Sequence, residues 1–326
     1  MTAVLPSGPP PGPPPAHAEP GEPTLLFETV HGSRAYGLHT ADSDWDLKGV
    51  VVGPRAWYLG FVGGPEQVEL GPDHVRYELR KFMRLAAGGN PTLLEVLFTD
   101  PEDHRVCHPA MAPLLEQRQR FVSQKVGPAF GGYALSQLKH IETHRRWLFD
   151  PPLAAPDRRD YGLPERAVAP PDQIGAAEAM LQKGELAEAD VSANFLALLD
   201  AERRYRAARQ TWQQFQHWQK TRNPKRAALE ARFGYDTKHA MHLIRLLTMG
   251  AEILETGVVQ VRRPDRDDLL AIRGGALSYE ALRAHAEALE ARMRVAQATT
   301  TLPAAPDLAA LDALCGAIIA ALIGVG

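Results

Sequence analysis

HGSRAYGLHTADSDWDLKGVVV, His31 to Val52, is the stretch that decides how this chain is read. A Gly-Ser pair is followed by a ten-residue spacer, then by Asp44-Trp45-Asp46 running into a valine-rich tail. In a strand, residues two apart point to the same face. That places Asp44 and Asp46 side by side and turns Trp45 and Leu47 to the core. Adjacent carboxylates repel one another unless a cation lies between them. Oxygen ligands of this kind suit hard divalent ions, Mg²⁺ or Mn²⁺. With a third acid from a neighbouring strand they can hold two such ions, about 3.5–4 Å apart, which serve phosphoryl or nucleotidyl transfer. Gly32 lets a phosphate approach the backbone, Ser33 at a helix start adds an N–H and a hydroxyl, and Arg34 supplies positive charge. The bland alternative is a polar hairpin loop with solvated acids. It leaves the Gly-Ser and the strand tail unexplained.

Outward from this stretch, TLLFETV reads as a preceding strand and SRAYGL as a short helix. EQVEL and HVRYEL read as two further strands about the Gly71-Pro72 turn. LRKFMRLAAGG has helical spacing and ends at glycines, Asn90-Pro91 makes a corner, and TLLEVLF is a short element of either type. From about residue 110 the patterns are helical, interrupted by a proline-rich segment near 150–173, and they return at about 190–220, 236–256, 279–297 and 307–323. The expected organisation is a proline-rich, disordered tail over 1–22, a catalytic α+β domain over 23–108 and an α-helical domain over 109–326.

The 326 residues carry a formal net charge of −3, with 45% hydrophobic and 23% charged residues, so bulk charge does not signal nucleic-acid binding. Cys107 and Cys315 form no motif and suit a reducing cytoplasm. The first residues lack the basic start and apolar core of a signal peptide. The apolar C-terminal stretch is interrupted by Asp312, falls short of the ~20 residues a membrane span needs, and reads as a packing helix with Leu308, Leu311, Cys315, Ile318 and Leu322 on its buried side.

The residues GSRAYGLHTADSDWDLKGV resemble the signature of the polymerase β-like nucleotidyltransferase superfamily. YELRKFMRLAAGGNPTLLEVLF and YDTKHAMHLIRLL resemble a narrower group within it, the predicted bacterial and phage RNA-ligase-associated nucleotidyltransferases, over roughly residues 24–275. The resemblance implies a small polymerase β-like palm with a mixed sheet flanked by helices, followed by a helical domain. It implies two Mg²⁺ or Mn²⁺ ions on Asp44, Asp46 and a third acid of a neighbouring strand. Asp73 is preferred for that third position; Glu78, on the other face by alternation, is the rival, and a helix N-terminal acid is its simpler role. The implied activity is transfer of NMP from an NTP to a hydroxyl, with release of pyrophosphate. The implied acceptor is an RNA end, such as a tRNA, in functional association with an RNA ligase. Alternatives are a protein AMP- or UMP-transferase, a small-molecule acceptor, and a non-catalytic nucleotide-binding or antitoxin-type module.

Lys238, His242 and Arg245 fall at i, i+4 and i+7 on one helix stripe, where they suit a triphosphate or a solvated face. Arg80, Lys81 and Arg84 are either cleft or surface charges. His144, Arg145, Arg146 and Trp147, and the run from Arg203 through KTRNPKRAALEAR, suit nucleic-acid contact or salt-bridged helix faces.

Overall fold

The structure is a computed structural model and describes residues 21–41, 43–167, 170–184 and 192–324. The proline-rich tail expected over 1–22 thus lies almost wholly outside the described residues. The strands are β1 (Thr24–His31), β2 (Asp46–Val52), β3 (Gln67–Gly71), β4 (His74–Glu78) and β5 (His104–Cys107). The helices are α1 (Gly32–Ala35), α2 (Ala56–Leu59), α3 (Leu79–Ala87), α4 (Pro91–Leu97), α5 (Ala112–Glu116), α6 (Val126–Phe149) and α7 (Pro171–Gln182). They continue with α8 (Ala193–Thr221), α9 (Pro224–Phe233), α10 (Thr237–Thr256), α11 (Arg266–Arg273), α12 (Tyr279–Thr299) and α13 (Leu308–Ile323). The fold is α+β, with a mixed sheet and many helices, as the sequence led us to expect.

The sheet order is β3-β4-β2-β1-β5. β2 and β4 run parallel and every other pair is antiparallel. β1 is paired on both edges, and its Leu26, Phe27, Glu28 and Thr29 are fully buried. Register fixes the faces. His31 opposes Asp46, Thr29 opposes Lys48, and Lys48 opposes Val75, so these side chains share one face. The other face carries Glu28, Gly49 and Arg76 in a row across β1, β2 and β4. A Cβ on Gly49 would lie 2.9 Å from the Arg76 side chain, so the missing side chain lets Arg76 cross β2 to reach Glu28 at 3.0 Å. His74 at 2.8 Å and Arg105 at 3.2 Å complete the shell. Burial alone would raise the Glu28 pKa; His74 and Arg76 more than offset it and hold the carboxyl below its ordinary range.

Two compact units are present, Met1–Ile141 with Thr237–Gly326, and Glu142–Asp236. The expected boundary near 108, with one helical domain over 109–326, differs from this division. The late helices belong with the sheet: α10 packs on α12 and α11, α13 touches α3, and Arg245 of α10 pairs with Glu95 of α4. Helical periodicity shows that a helix has an apolar face but not what covers it. Three further differences are local. β2 begins at Asp46, so Asp44 lies in the preceding loop and the two acids do not share a strand. TLLEVLF is helical: Asn90 caps α4 by accepting from Leu93 N, and Pro91 takes its first position. In α13 the buried residues are Leu311, Cys315, Ile318 and Ile319, while Leu308 is exposed. Among the described residues no helix is long and apolar enough to cross a membrane.

Candidate active site

The end of β1, the short α1 and the start of β2 set the first part of the site. Gly32 has φ +63°, a left-handed backbone that glycine adopts without strain, and a Cβ there would meet Asp46 Oδ2 at 2.9 Å. Gly32 is thus both the turn residue and the surface against which the Asp46 carboxylate lies. Asp46 opens β2 directly beside His31, whose Nδ1 is 3.9 Å from Oδ2, and Lys48 Nζ lies 2.8 Å from Oδ1. Burial would raise the Asp46 pKa; His31 and Lys48 outweigh it and keep the carboxylate charged.

Asp73 precedes β4, and its carbonyl oxygen accepts a 2.8 Å hydrogen bond from Leu47 N, which continues the β2–β4 ladder back to the acids. Its carboxyl pKa is raised, by burial first and then by the negative charges of Asp46 and Asp44; Lys48 and Lys238 pull the other way. Asp44, in the exposed loop, thus lies within electrostatic reach of Asp73 together with Asp46, and Lys48 and Lys238, the latter at the start of α10, are the cations that act on Asp73; the three carboxylates do not all approach within 4.8 Å of one another. All the donors are oxygens, the like charges oppose one another, and a glycine cradle holds one of them. This set fits hard divalent cations.

Glu78 does not join them. It ends β4 on the opposite face, accepts from Arg80 N and Lys81 N as the cap of α3, and receives the Tyr58 hydroxyl at 3.0 Å. Arg80 also ion-pairs with it, and Arg84 pairs with Glu66 at 2.7 Å. Arg34 is directed to the loop: its guanidinium lies 3.9 Å from the Trp45 ring centroid and donates to the Ser43 carbonyl at 2.8 Å. This stacking leaves Trp45 half-buried, not in the core, and secures the loop that carries Asp44. Ser33 lies half-buried in α1, and its carbonyl accepts from Leu38 N. His242 is half-buried on α10.

Arg245 is the main departure from the expected basic row. It is 5% exposed and pairs with Glu95 Oε1 at 2.5 Å, with its guanidinium 3.9 Å from the Tyr36 ring centroid. Glu95, itself 1% exposed, also accepts from the Tyr36 hydroxyl at 2.6 Å and lies 3.2 Å from His31 Nε2. Burial works against its charge, yet Arg245 and His31 bring its pKa down to about 2. A guanidinium so enclosed is neutralised inside the fold and is not presented to a triphosphate. His31 is buried between Glu95 and Asp46; burial opposes its protonation, and the two acids outweigh burial and raise its pKa.

Sequence reasoning missed His31, Lys48, Tyr36 and Glu95. Two signals were present. Lys48 stands two residues after Asp46 and so shares its face, and Glu95 is a lone acid inside an apolar helical run.

Residues 16–147 match the family described as RNA repair pathway DNA polymerase beta family. The matched segment contains β1 to β5 and all three clustered acids, and the match supports a nucleotidyltransferase role for it. An uncharacterized Bacillus subtilis (strain 168) protein, YcgL, is 35% identical over 81 residues, which is 23% of this chain and 31% of that protein. The chain therefore spans about a third of that relative's length in the match. No solved structure matches.

Proposed function

We propose that the chain transfers NMP from an NTP to a hydroxyl acceptor with release of pyrophosphate, and that the acceptor is an RNA end such as that of a tRNA. The observation that carries this reading is the Asp46 carboxylate lying against the Gly32 turn with Asp44 and Asp46 both acting electrostatically on Asp73, within the segment that matches an RNA repair polymerase β family. Asp44, Asp46 and Asp73 would hold two Mg²⁺ or Mn²⁺ ions, which supply charge neutralisation and activation of the hydroxyl.

Other groups of the chain bind and orient. Gly32 leaves the backbone bare at the point where Asp46 rests, and Ser33 adds a hydroxyl beside it. Lys238 faces the acids from α10 and offers a point charge to the triphosphate, with His242 one turn further along. Lys48 balances Asp46 before substrate enters. His31 and, behind it, the Glu95–Arg245–Tyr36 network hold that end of β1 rigid, so catalysis rests on positioning and charge stabilisation. In the reaction the acceptor oxygen bonds to the α-phosphorus as the α–β bridging bond breaks and pyrophosphate leaves.

The test is incubation with α-³²P-labelled ATP, CTP, GTP and UTP in turn, with Mg²⁺ or Mn²⁺, with and without total tRNA, beside an Asp44→Ala/Asp46→Ala control. Label on RNA that disappears in the control is the expected result and names the nucleotide. Label on protein moves the acceptor to a Ser, Thr or Tyr hydroxyl. NTP binding without pyrophosphate release contradicts the enzymatic reading in favour of a binding module.

A further inference from the structure

The Glu142–Asp236 unit holds a cavity of about 330 Å³, at the small end of the ~300–1,000 Å³ range of small-molecule sites. Trp147 from the end of α6 and Phe215 and Trp218 from α8 form its aromatic wall, with ring centroids 5.4–5.9 Å apart. Phe215, Trp218 and Arg222 follow at i, i+3 and i+7, which puts them on one side of α8 and its cap. The Arg222 guanidinium lies 4.4 Å from the Trp218 ring centroid, so a flat cation continues the stack.

Two features point to a ligand and away from a plain apolar core. The Trp147 indole N–H is buried and has no hydrogen-bond partner, in a residue only 6% exposed that lines the cavity. The remaining lining includes Gln216 and Gln219, whose amides both donate and accept. The surrounding sequence is locally basic in a chain of net charge −3: residues 203–232 contain nine Lys or Arg and one acid, Glu230. Arg203 and Arg204 pair with Asp200, Arg206 with Glu178, Arg222 with Glu230 and Arg226 with Asp236, and the charges of the run beyond these pairs are Arg209, Lys220, Lys225 and Arg232.

We propose that this cavity takes an unpaired nucleobase of a single-stranded nucleic acid. The base stacks on the Trp147–Phe215–Trp218 wall, its edge is met by the glutamine amides, and the basic run follows the backbone. Flat aromatic faces, amide edges and a polyanion-seeking flank are together the chemistry of base recognition without a duplex. The inference goes beyond the transfer reading and does not depend on it, since binding here needs none of the three clustered acids.

The test is tryptophan fluorescence of the full chain titrated with 8-mer oligouridylate, 8-mer oligothymidylate and an abasic 8-mer with the same backbone charge. Saturable quenching by the base-bearing oligomers, at least tenfold weaker with the abasic one, is expected; a preference between the first two names the sugar read. Trp218→Leu should weaken binding about 5- to 100-fold and Trp218→Phe should restore most of it. Gln219→Glu, at an exposed position, should weaken it about tenfold by placing a carboxylate in the cavity. The Asp44→Ala/Asp46→Ala protein should bind as the wild type does, which keeps failure here distinct from failure of the transfer reading. Equal binding of the abasic oligomer, or wild-type binding by both Trp218→Leu and Gln219→Glu, overturns the proposal. Quenching by an acidic peptide and not by the oligomers overturns it as well.

Discussion

Glu95 and Asp73 are both carboxylates of the unit that contains the sheet, and their surroundings treat them in opposite ways. Glu95 is enclosed by Arg245, Tyr36 and His31, and its pKa falls to about 2. Asp73 stands near Asp46 and Asp44, and its pKa is raised. A carboxylate whose charge is fully answered within the chain belongs to the architecture. One that faces like charges at a half-exposed position gains from a cation that joins it, and that is a property of ligand sites.

The comparison breaks first, and most strongly, on the buried side. Arg245→Ala leaves Glu95 buried without its ion-pair partner and should destabilise the protein by about 3–5 kcal/mol in chemical denaturation. Because Glu95 is depressed from 4.5 to about 2 in the folded state, its contribution is complete above pH 4.5 and is lost as the pH falls from 4.5 towards 2. A Glu95→Gln/Arg245→Met protein lacks that term. Between pH 4.5 and 2 the wild type should lose about 3 kcal/mol more stability than this variant. Parallel acid-denaturation curves for the two would contradict the assignment of Glu95 as a satisfied structural acid.

On the exposed side the expected effect is on rate. Asp73→Asn should lower NMP transfer by about 100-fold or more, with the melting temperature in the absence of metal unchanged or raised, since a repelling charge has gone. Metal sharpens the contrast further. Mn²⁺ at ten times its Kd should stabilise the wild type by about 1.4 kcal/mol, and this gain should vanish in Asp73→Asn. Glu78 gives the smallest effect. Glu78→Ala removes the α3 cap and should cost about 1 kcal/mol while transfer stays within a few-fold of wild type. Loss of transfer with Glu78 and not with Asp73 would exchange their roles.

Much of this is legible in the amino-acid sequence. β-Branched and aromatic residues in TLLFETV, the valines of DLKGVVV and the Gly71-Pro72 turn before HVRYEL mark strands, and the Gly-Ser and Asp-x-Asp elements mark their own turn and strand start. Alternation puts Asp73 and Glu78 on opposite faces, and the sheet register is what then sets Asp73 next to Asp46. Arg245 illustrates the limit. Its spacing from Lys238 and His242 puts all three on one helix stripe, but a stripe seven residues long runs about 10 Å along the axis. Its lower end can be sealed by a neighbour such as Glu95 while its upper end faces the acids. Asp44 shows another limit: the periodicity of a strand says nothing about which residue begins it, and here Arg34 stacked on Trp45 keeps the preceding residues in a loop. The division into units was hidden for a third reason, since chain order does not say that α10 to α13 return to the sheet.

The central claim is that Asp46 acts in chemistry beyond its pairing with His31 and Lys48, and one variant tests it directly. Asp46→Asn keeps the shape that packs against Gly32 and removes the charge. Single-turnover transfer from α-³²P-labelled NTP, measured on this variant and the wild type with saturating Mn²⁺ and matched melting curves, gives the answer. The account predicts loss of transfer by a protein that still melts cooperatively, its melting temperature lowered by the lost His31 and Lys48 pairings. Transfer at the wild-type rate would contradict it and remove the carboxylate cluster from the active site.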